Sequence, residues 1–468
     1  MSLISNIKNT SIAQVVKIIC QLTAILVFAK LLTPTEFGVV AMATVVINFA
    51  NIIRDIGTNA AIISRDTISH QLKSTLFWVN FIIGITLFSI IALSSELIAA
   101  YFNNQHLRLL LIVLCLSFPL NSVSSVHLAL LERESKFSTI AKVEIFSSVI
   151  SLIVAIVAAA NHFGAYSLVI QTLLYSLLSS IFFIRYSKWS PVFVFDFNEL
   201  KSIFNFSSNI VGFNFINYFS RNSDQIIIGK IYGPELLGNY SLAYRMMLFP
   251  LQSITFVLTR SLFPIISRIK DDKIESGKAY LRVLTIICLI VPPLMIMLSL
   301  LSFDVISLFF PGKWDMVPNM LMWLAPTAIL QSMISTTGSI FMAFNRVNFL
   351  LKISIFNCAL QMSAFLLGSF FDVYVLLQFY FIANLIMFLP NVMSALSLVG
   401  LRYSIFLKQM IVCLVPSGIL FFILSLLSMV LCRNTVLNLF LKCSLSFLVY
   451  IIAVFPLRNV FKNNVKCL

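Results

Sequence analysis

The segment Asn214–Gly238, NFINYFSRNSDQIIIGKIYGPELLG, sets three charges, Arg221, Asp224 and Lys230, inside an otherwise apolar run. Wound as an α-helix at about 100° per residue, Asn214, Asn217, Tyr218, Arg221, Asp224 and Gln225 share about 120° of arc. Phe215, Ile216, Phe219, Ile226 and Ile227 take the opposite side. A charge at the bilayer centre costs roughly 2.5–3.5 kcal/mol on insertion scales, so the stripe must face protein or water rather than lipid. One reading is local: Arg221 and Asp224, three residues apart, neutralise each other and pin helix packing. The amides and the tyrosine prolong the stripe beyond that pair, which favours the wall of a hydrated central cavity.

The rest of the chain supplies the membrane context. Of 468 residues, 60% are hydrophobic and only 10% charged, against about 25% charged in ordinary soluble proteins. Apolar runs of about 20 residues recur from end to end, each long enough to cross a hydrocarbon core of about 30 Å as a helix. The fold class is therefore an all-α polytopic membrane protein with about 14 transmembrane helices. The expected spans run from 11–32 and 38–58, through 206–232 and 238–260, to 409–431 and 436–457. Lys17 within the first run, and the lack of a small-residue cleavage site after it, predict a retained helix rather than a signal peptide.

The net charge of +15 comes from basic residues scattered through short loops, which is no footprint for nucleic acid. With both termini cytoplasmic, most of the 32 Lys and Arg fall on the inner side, as the positive-inside rule requires. Lys30, Arg108, Lys230, Lys313, Arg433 and Lys442 fall outside, and Arg221 and Arg245 lie at depth. The eight cysteines form no C-x-x-C and only four histidines are present, so no metal site is expected.

A repeat appears at an offset of 200 residues. Lys30, Pro34 and Gly38 match Lys230, Pro234 and Gly238, and Gln14, Lys17 and Gln21 fall where Asn214, Asn217 and Arg221 lie. Each copy is a polar-striped helix, a Pro/Gly turn on the outer face, and a second helix. Both copies run the same way, which predicts two pseudo-symmetric six-helix lobes about an axis along the membrane normal. The lobes are 1–200 and 201–400, and 401–468 forms an additional transmembrane hairpin. The basic, aromatic stretch 185–203 between the lobes, and the amphipathic stretch 263–282, are both expected to lie along the inner membrane surface.

Arg221–Arg245 reads R-N-x-D-x-x-x-I-G-x-x-x-G-P-x-x-x-G-x-Y-x-x-A-Y-R. This pattern resembles bacterial polysaccharide exporters, the lipid-linked oligosaccharide flippases (O-antigen, colanic-acid and capsule type) of the multidrug/oligosaccharidyl-lipid/polysaccharide superfamily. Leu31–Ile63, LLTPTEFGVVAMATVVINFANIIRDIGTNAAII, is similar to the same family. The resemblance covers Met1 to about Gly400. It implies a bacterial inner-membrane location and undecaprenyl pyrophosphate as the carrier of the sugars, and it says little about which sugars. It also implies polysaccharide assembly proteins as partners, alongside membrane lipids.

The residues fit that substrate class. Arg221 stands thirteen residues before Pro234 and Arg245 eleven after it, so in antiparallel helices at about 1.5 Å per residue both begin roughly 15–20 Å below the outer turn. Guanidinium matches phosphate geometry better than ammonium does. Lys17 and Arg54 near the inner mouth, with Lys30 and Lys230 at the outer mouth, complete a basic ladder. The substrate-contacting set is Arg221, Arg245, Asn214, Asn217, Tyr218, Gln225, Gln14, Lys17 and Gln21. Tyr218, Tyr240 and Tyr244 either stack on sugars or pack between helices. Arg245 is also a structural partner candidate for Asp224, and Asp224 is the candidate for coupling to a proton or sodium gradient. No cofactor is expected and no catalytic residue is assigned. A P-loop, serine elbow, H-E-x-x-H or paired catalytic carboxylates are absent from the sequence. Two rivals remain at this stage: a multidrug/cation antiporter, which calls for an acidic cavity, and an integral-membrane glycan polymerase or ligase, which calls for a sizeable outer loop.

Topology has a direct check in a background without native cysteines. Cysteines at Thr35 or Glu235 are expected to react with an impermeant thiol reagent from outside, and cysteines at Ser135 or Ser276 to stay unlabelled. Outside labelling of Ser135 would reverse the assignment.

Overall fold

The computed structural model describes residues 3–54, 62, 68–195, 197–430 and 436–456. Within these, side chains at 3–15, 17, 197–217, 220–221, 249–250, 252–254, 256–257, 260 and 430 lie outside the described set. Fourteen helices account for nearly all of it: α1 Leu3–Leu31, α2 Pro34–Arg54, α3 His70–Tyr101, α4 His106–Leu114, α5 Ser117–Arg133, α6 Phe137–Ala160 and α7 Tyr166–Ser187. They continue as α8 Phe197–Ile269, α9 Lys273–Phe309, α10 Val317–Ala343, α11 Val347–Gly368, α12 Val373–Leu398, α13 Tyr403–Val430 and α14 Val436–Val454. Ten spans among the described residues are long and apolar enough to cross a membrane. This is a multi-pass membrane protein.

Several helices outrun the apolar segments that announce them. α3 extends from His70 to Tyr101 where hydropathy marks 76–99, the added first turn and a half being the polar stretch HQLKST, capped by Ser69 Oγ accepting the Leu72 N–H at 3.0 Å. The span expected at 107–130 is two helices. At their junction Leu116 N–H turns to Val113 C=O at 3.3 Å and Phe118 N–H to Cys115 C=O at 3.0 Å, the tighter i→i−3 pattern that breaks α4 from α5. α8 is likewise two helices joined at Gly233, whose φ of 83° is open to glycine and costly for other residues. Stretch 263–282 is the end of α8 and the start of α9, joined by a short turn. Asp272 caps α9 by accepting the N–H groups of Ile274 and Glu275, both at 3.0 Å.

The chain clusters into two compact units, 1–238 and 239–468. In the first, α6 packs on α7 and α1, α5 on α7 and α3, and α2 on α4. The stretch after Ser187 is bound to this unit. Trp189 Nε1 donates to His70 Nε2 at 3.2 Å, Val192 N–H to Ser74 Oγ at 3.1 Å, and Trp78 Nε1 to Val192 C=O at 3.0 Å. Phe193 stacks on Trp78 with ring centroids 4.2 Å apart. These partners all sit on the first turns of α3, so the strap and the helix end satisfy each other's polar groups.

In the second unit, α10 packs on α9 and α12, α11 on α12, and the last pair α13–α14 on α9. Pro292, Pro293, Pro326, Pro390 and Pro416 sit inside these helices, as membrane helices tolerate when neighbours and local adjustments re-satisfy the backbone.

The start of α2 is set locally. Thr33 N–H and Oγ1 donate to Glu36 Oε2 at 2.8 and 2.9 Å, and Glu36 N–H donates back to Thr33 Oγ1 at 3.3 Å, with Pro34 between them. This is a capping box with proline in the first turn. The turn it fixes crosses its own repeat within the first unit. A Cβ on Gly38 would lie 1.7 Å from the Pro234 carbonyl oxygen, and one on Gly238 would lie 1.8 Å from that of Pro34. The two backbones therefore touch reciprocally, with each glycine Cα–H against the other copy's proline carbonyl, a weak contact that recurs where helices cross closely.

Alanine at Gly38 or Gly238 must push these backbones apart. Overpacking of this kind costs typically 1–3 kcal/mol, and more where backbone meets backbone. Each single alanine is expected to lower the melting temperature in detergent by several degrees, and the double variant by less than the sum, because both remove one contact. Unchanged melting in both singles would sink this account.

Candidate functional site

Of the stripe expected on the first half of α8, Tyr218, Asp224 and Gln225 have described side chains, and Tyr218 reaches α2. Tyr218 is buried and its hydroxyl donates to the backbone carbonyl of Val45 on α2. Its ring lies 5.6 Å from Phe49, which also meets Phe219 at 5.7 Å. Tyr218 thus couples α8 to α2 in this conformation, and sugar stacking would need that contact to open. Asn222 Nδ2 donates to the Tyr218 carbonyl at 2.9 Å.

Asp224 is 2% exposed, and its Oδ1 accepts the N–H of Gln225 at 2.8 Å. A side-chain acceptor there competes with the helix's own carbonyls. Gln225 is half-buried. Further along, the Lys230 ammonium lies over the ring of Tyr101, 4.9 Å from its centroid, a cation–π contact at the end of α3. Met42 of α2 and Phe102 approach Gly229 between these groups, so the stripe, α2 and the end of α3 form one packed seam.

The remaining expected residues are distributed differently. Gln21 and Lys30 of α1 are exposed, and Lys30 occupies the last turn, where a cation suits the helix dipole. Arg54 is half-buried in the last turn of α2. Arg245 is half-buried in the second unit, where Tyr240 and Tyr244 stack on each other at 5.5 Å. Tyr240 is fully buried, which uses its ring for packing. Gln14, Lys17, Asn214, Asn217 and Arg221 have side chains outside the described residues.

Two polar clusters in the second unit escape a reading by helix face. Lys442 of α14 and Asp304 of α9 form an ion pair at 2.6 Å, with side chains 3% and 14% exposed. Removing one partner of such a pair leaves an uncompensated charge, typically at 3–5 kcal/mol. Sequence hydropathy places Lys442 at the outer face; its partner is 138 residues away and no spacing points to it. The second cluster is an amide network. Gln331 Nε2 donates to Tyr380 Oη at 2.6 Å and to Asn384 Oδ1 at 3.2 Å. Asn357 and Asn391 donate to each other at 3.3 and 3.0 Å. A polar residue every few turns on α10, α11 and α12 was the available signal, since buried amides in a membrane must find one another. Among the described residues no group of three His, Cys, Asp or Glu is placed to hold a metal ion.

The sequence pattern of a family described as polysaccharide biosynthesis protein matches residues 27–318. The chain belongs to this family. It is 30% identical over 348 residues to the teichuronic acid biosynthesis protein TuaB of Bacillus subtilis, covering 74% of this chain and 72% of that one. It is 27% identical to the lipopolysaccharide biosynthesis protein WzxC of Escherichia coli, covering 78% and 75%. Among solved structures it is similar to the lipid II flippase MurJ in an inward closed conformation. That match has a TM-score of 0.79 and 15% identity, and covers 97% of this chain and 99% of that one. At that identity the likeness speaks for the fold alone: the all-α, two-lobed exporter architecture expected from the repeat.

Proposed function

We propose that this family member is a flippase. It carries undecaprenyl-pyrophosphate-linked oligosaccharide units across the bacterial inner membrane by alternating access, for O-antigen, capsule or exopolysaccharide assembly. The observation that carries this reading is its kinship with proteins named for teichuronic acid and lipopolysaccharide biosynthesis, in a chain built almost wholly of membrane helices. The described connections between helices are short and offer no domain for glycan chemistry, which disfavours a polymerase or ligase.

Both termini are cytoplasmic in this proposal, and the enzymes that build and polymerise the glycan are its partners. Arg221 and Arg245 bind the pyrophosphate, Lys30 and Lys230 attend its exit, and Asn214, Asn217, Gln225, Gln14, Lys17 and Gln21 bind the sugars through water. Arg54 meets the substrate at the inner mouth. Asp224 takes up a proton or sodium ion when the seam around it opens. Transport in vesicles by Asp224→Asn is then expected to lose its dependence on the ion gradient at normal insertion; retained dependence would make Asp224 structural.

Arg221 gives the sharper test. Alanine removes a charge-assisted contact worth about 1.5–3 kcal/mol, while lysine keeps the charge and loses the fork. In cells lacking the native protein, surface glycan is expected to fall from wild type through Arg221→Lys to Arg221→Ala at constant protein abundance. Lipid-linked precursor should then remain on the inner leaflet. Full export by the alanine variant would remove the phosphate role, and loss in proportion to protein abundance would make Arg221 a packing residue. Purified protein in liposomes separates the classes: translocation without new glycosidic bonds supports a flippase, and bond formation an enzyme.

A further inference from the structure

A cavity of about 380 Å³ lies within the first unit, between α2, the end of α3 and the first half of α8. Its walls include Val46 and Phe49 of α2, Leu97 and Tyr101 of α3, and Phe219 and Ile226 of α8. Tyr218 also lines it, but its hydroxyl is turned to the Val45 carbonyl, so what it presents is carbon. The mouth is open, since Leu97 and Tyr101 are 73% and 51% exposed. With Leu93, 84% exposed, they form an i,i+4 apolar stripe along α3 that faces hydrocarbon in a bilayer.

An apolar cavity gives water no partners and stays unhydrated. One that opens onto a bilayer fills with a lipid chain instead. Among the described residues, the cation Lys230 stands at its rim, held over the Tyr101 ring that is itself part of the wall. From Lys230 back to Phe219 is eleven residues, roughly 16 Å along the helix at about 1.5 Å per residue. That is about half of a hydrocarbon core of about 30 Å. The groove therefore has the plan of an anionic lipid in one leaflet: a charge at headgroup depth with an aromatic-walled slot running inward beneath it. A lipid without a phosphate gains little from the ammonium, and in a zwitterionic one the lipid's own cation offsets its phosphate, whereas a net-anionic phosphate gains the full charge-assisted contact.

We propose that this groove seats the head-proximal part of the isoprenoid chain of a pyrophosphate-bearing carrier lipid in the outer leaflet, with Lys230 against the phosphate. The choice of carrier rests on the flippase reading above; the groove and its cation do not. It assigns the tail a place on α2, α3 and α8, and gives Lys230 a role distinct from that of the arginine at depth.

The test uses the full chain in phosphatidylcholine nanodiscs. One probe is undecaprenyl pyrophosphate with a diazirine near its head, and the other is phosphatidylglycerol with a diazirine in an acyl chain. Peptides spanning Leu97–Phe102 and Phe219–Ile226 are expected to be labelled by the isoprenoid probe. Excess undecaprenyl pyrophosphate should compete this labelling and undecaprenol should not. Lys230→Gln is expected to reduce it several-fold, and Val46→Trp, which fills the slot, to abolish it in these peptides while leaving other labelled positions unchanged. If Val46→Trp does not fold, Lys230→Gln on the protein surface decides alone. Equal, uncompeted labelling by phosphatidylglycerol would make the groove an ordinary lipid crevice and overturn the proposal, as would unchanged labelling of Lys230→Gln. Because the readout is binding, competed labelling without translocation would leave the groove standing and sink the flippase reading. Translocation without competed labelling would sink the groove alone.

Discussion

The first unit depends on two backbones touching where neither has a side chain. At the Pro34–Gly38 and Pro234–Gly238 turns, each glycine lies against the other copy's proline carbonyl. The contact is self-complementary, as a two-fold relation between repeats requires, and leaves no room for a methyl on either strand. Local chemistry suits both partners to this contact. The Thr33–Glu36 capping box and Pro34 fix the start of α2, while the left-handed Gly233 lets α8 restart at Pro234. The same unit holds Met42 and Phe102 against Gly229, and the Tyr218 hydroxyl on the Val45 carbonyl.

The division between local and long-range contacts explains what could be read in advance. Lys30/Lys230, Pro34/Pro234 and Gly38/Gly238 are visible as an offset of 200 residues, because backbone constraints act through residue type at fixed positions. Helices were legible for the same reason, since a bilayer demands about 20 apolar residues per span. Partners were not. Helical periodicity puts Tyr218 on the polar face of α8 without saying that its hydroxyl ends on an α2 carbonyl. The distribution of charge puts Lys442 on the outer side without naming Asp304, and nothing in the sequence shows that Trp189 and Val192 fasten the stretch after Ser187 to His70 and Ser74 of α3. Each of these is a long-range choice made by packing, and a single sequence records only one side of it at a time.

A lipid-linked sugar asks one protein for three solvents: water for the sugars, charge for the pyrophosphate and hydrocarbon for the tail. The first half of α8 carries residues suited to each. Its amides and Asp224 share one face by periodicity, Lys230 stands near its outer end, and Phe219 and Ile226 wall an apolar groove. Segregation by helix face, rather than by domain, keeps these environments within a few ångströms of one another. The head and the first units of the tail of one lipid have to be served at that separation.

The burial of Asp224 then constrains any transport cycle. A carboxylate that is 2% exposed holds its charge inside a membrane protein only at a cost that partners must offset, and Tyr218 beside it is locked to α2. In this state Tyr218 and Asp224, the two buried members of the stripe among its described side chains, are closed off from water. On the roles proposed for Asp224 and Arg221, ion and substrate would reach them only in a second state, and each would favour that state only by as much as it binds it better than this one. A phosphate and a cation that both need the seam open are therefore linked through its opening. Under that proposal they would need no contact with each other, and the energetic cost of breaking the Tyr218–Val45 contact would be shared between them.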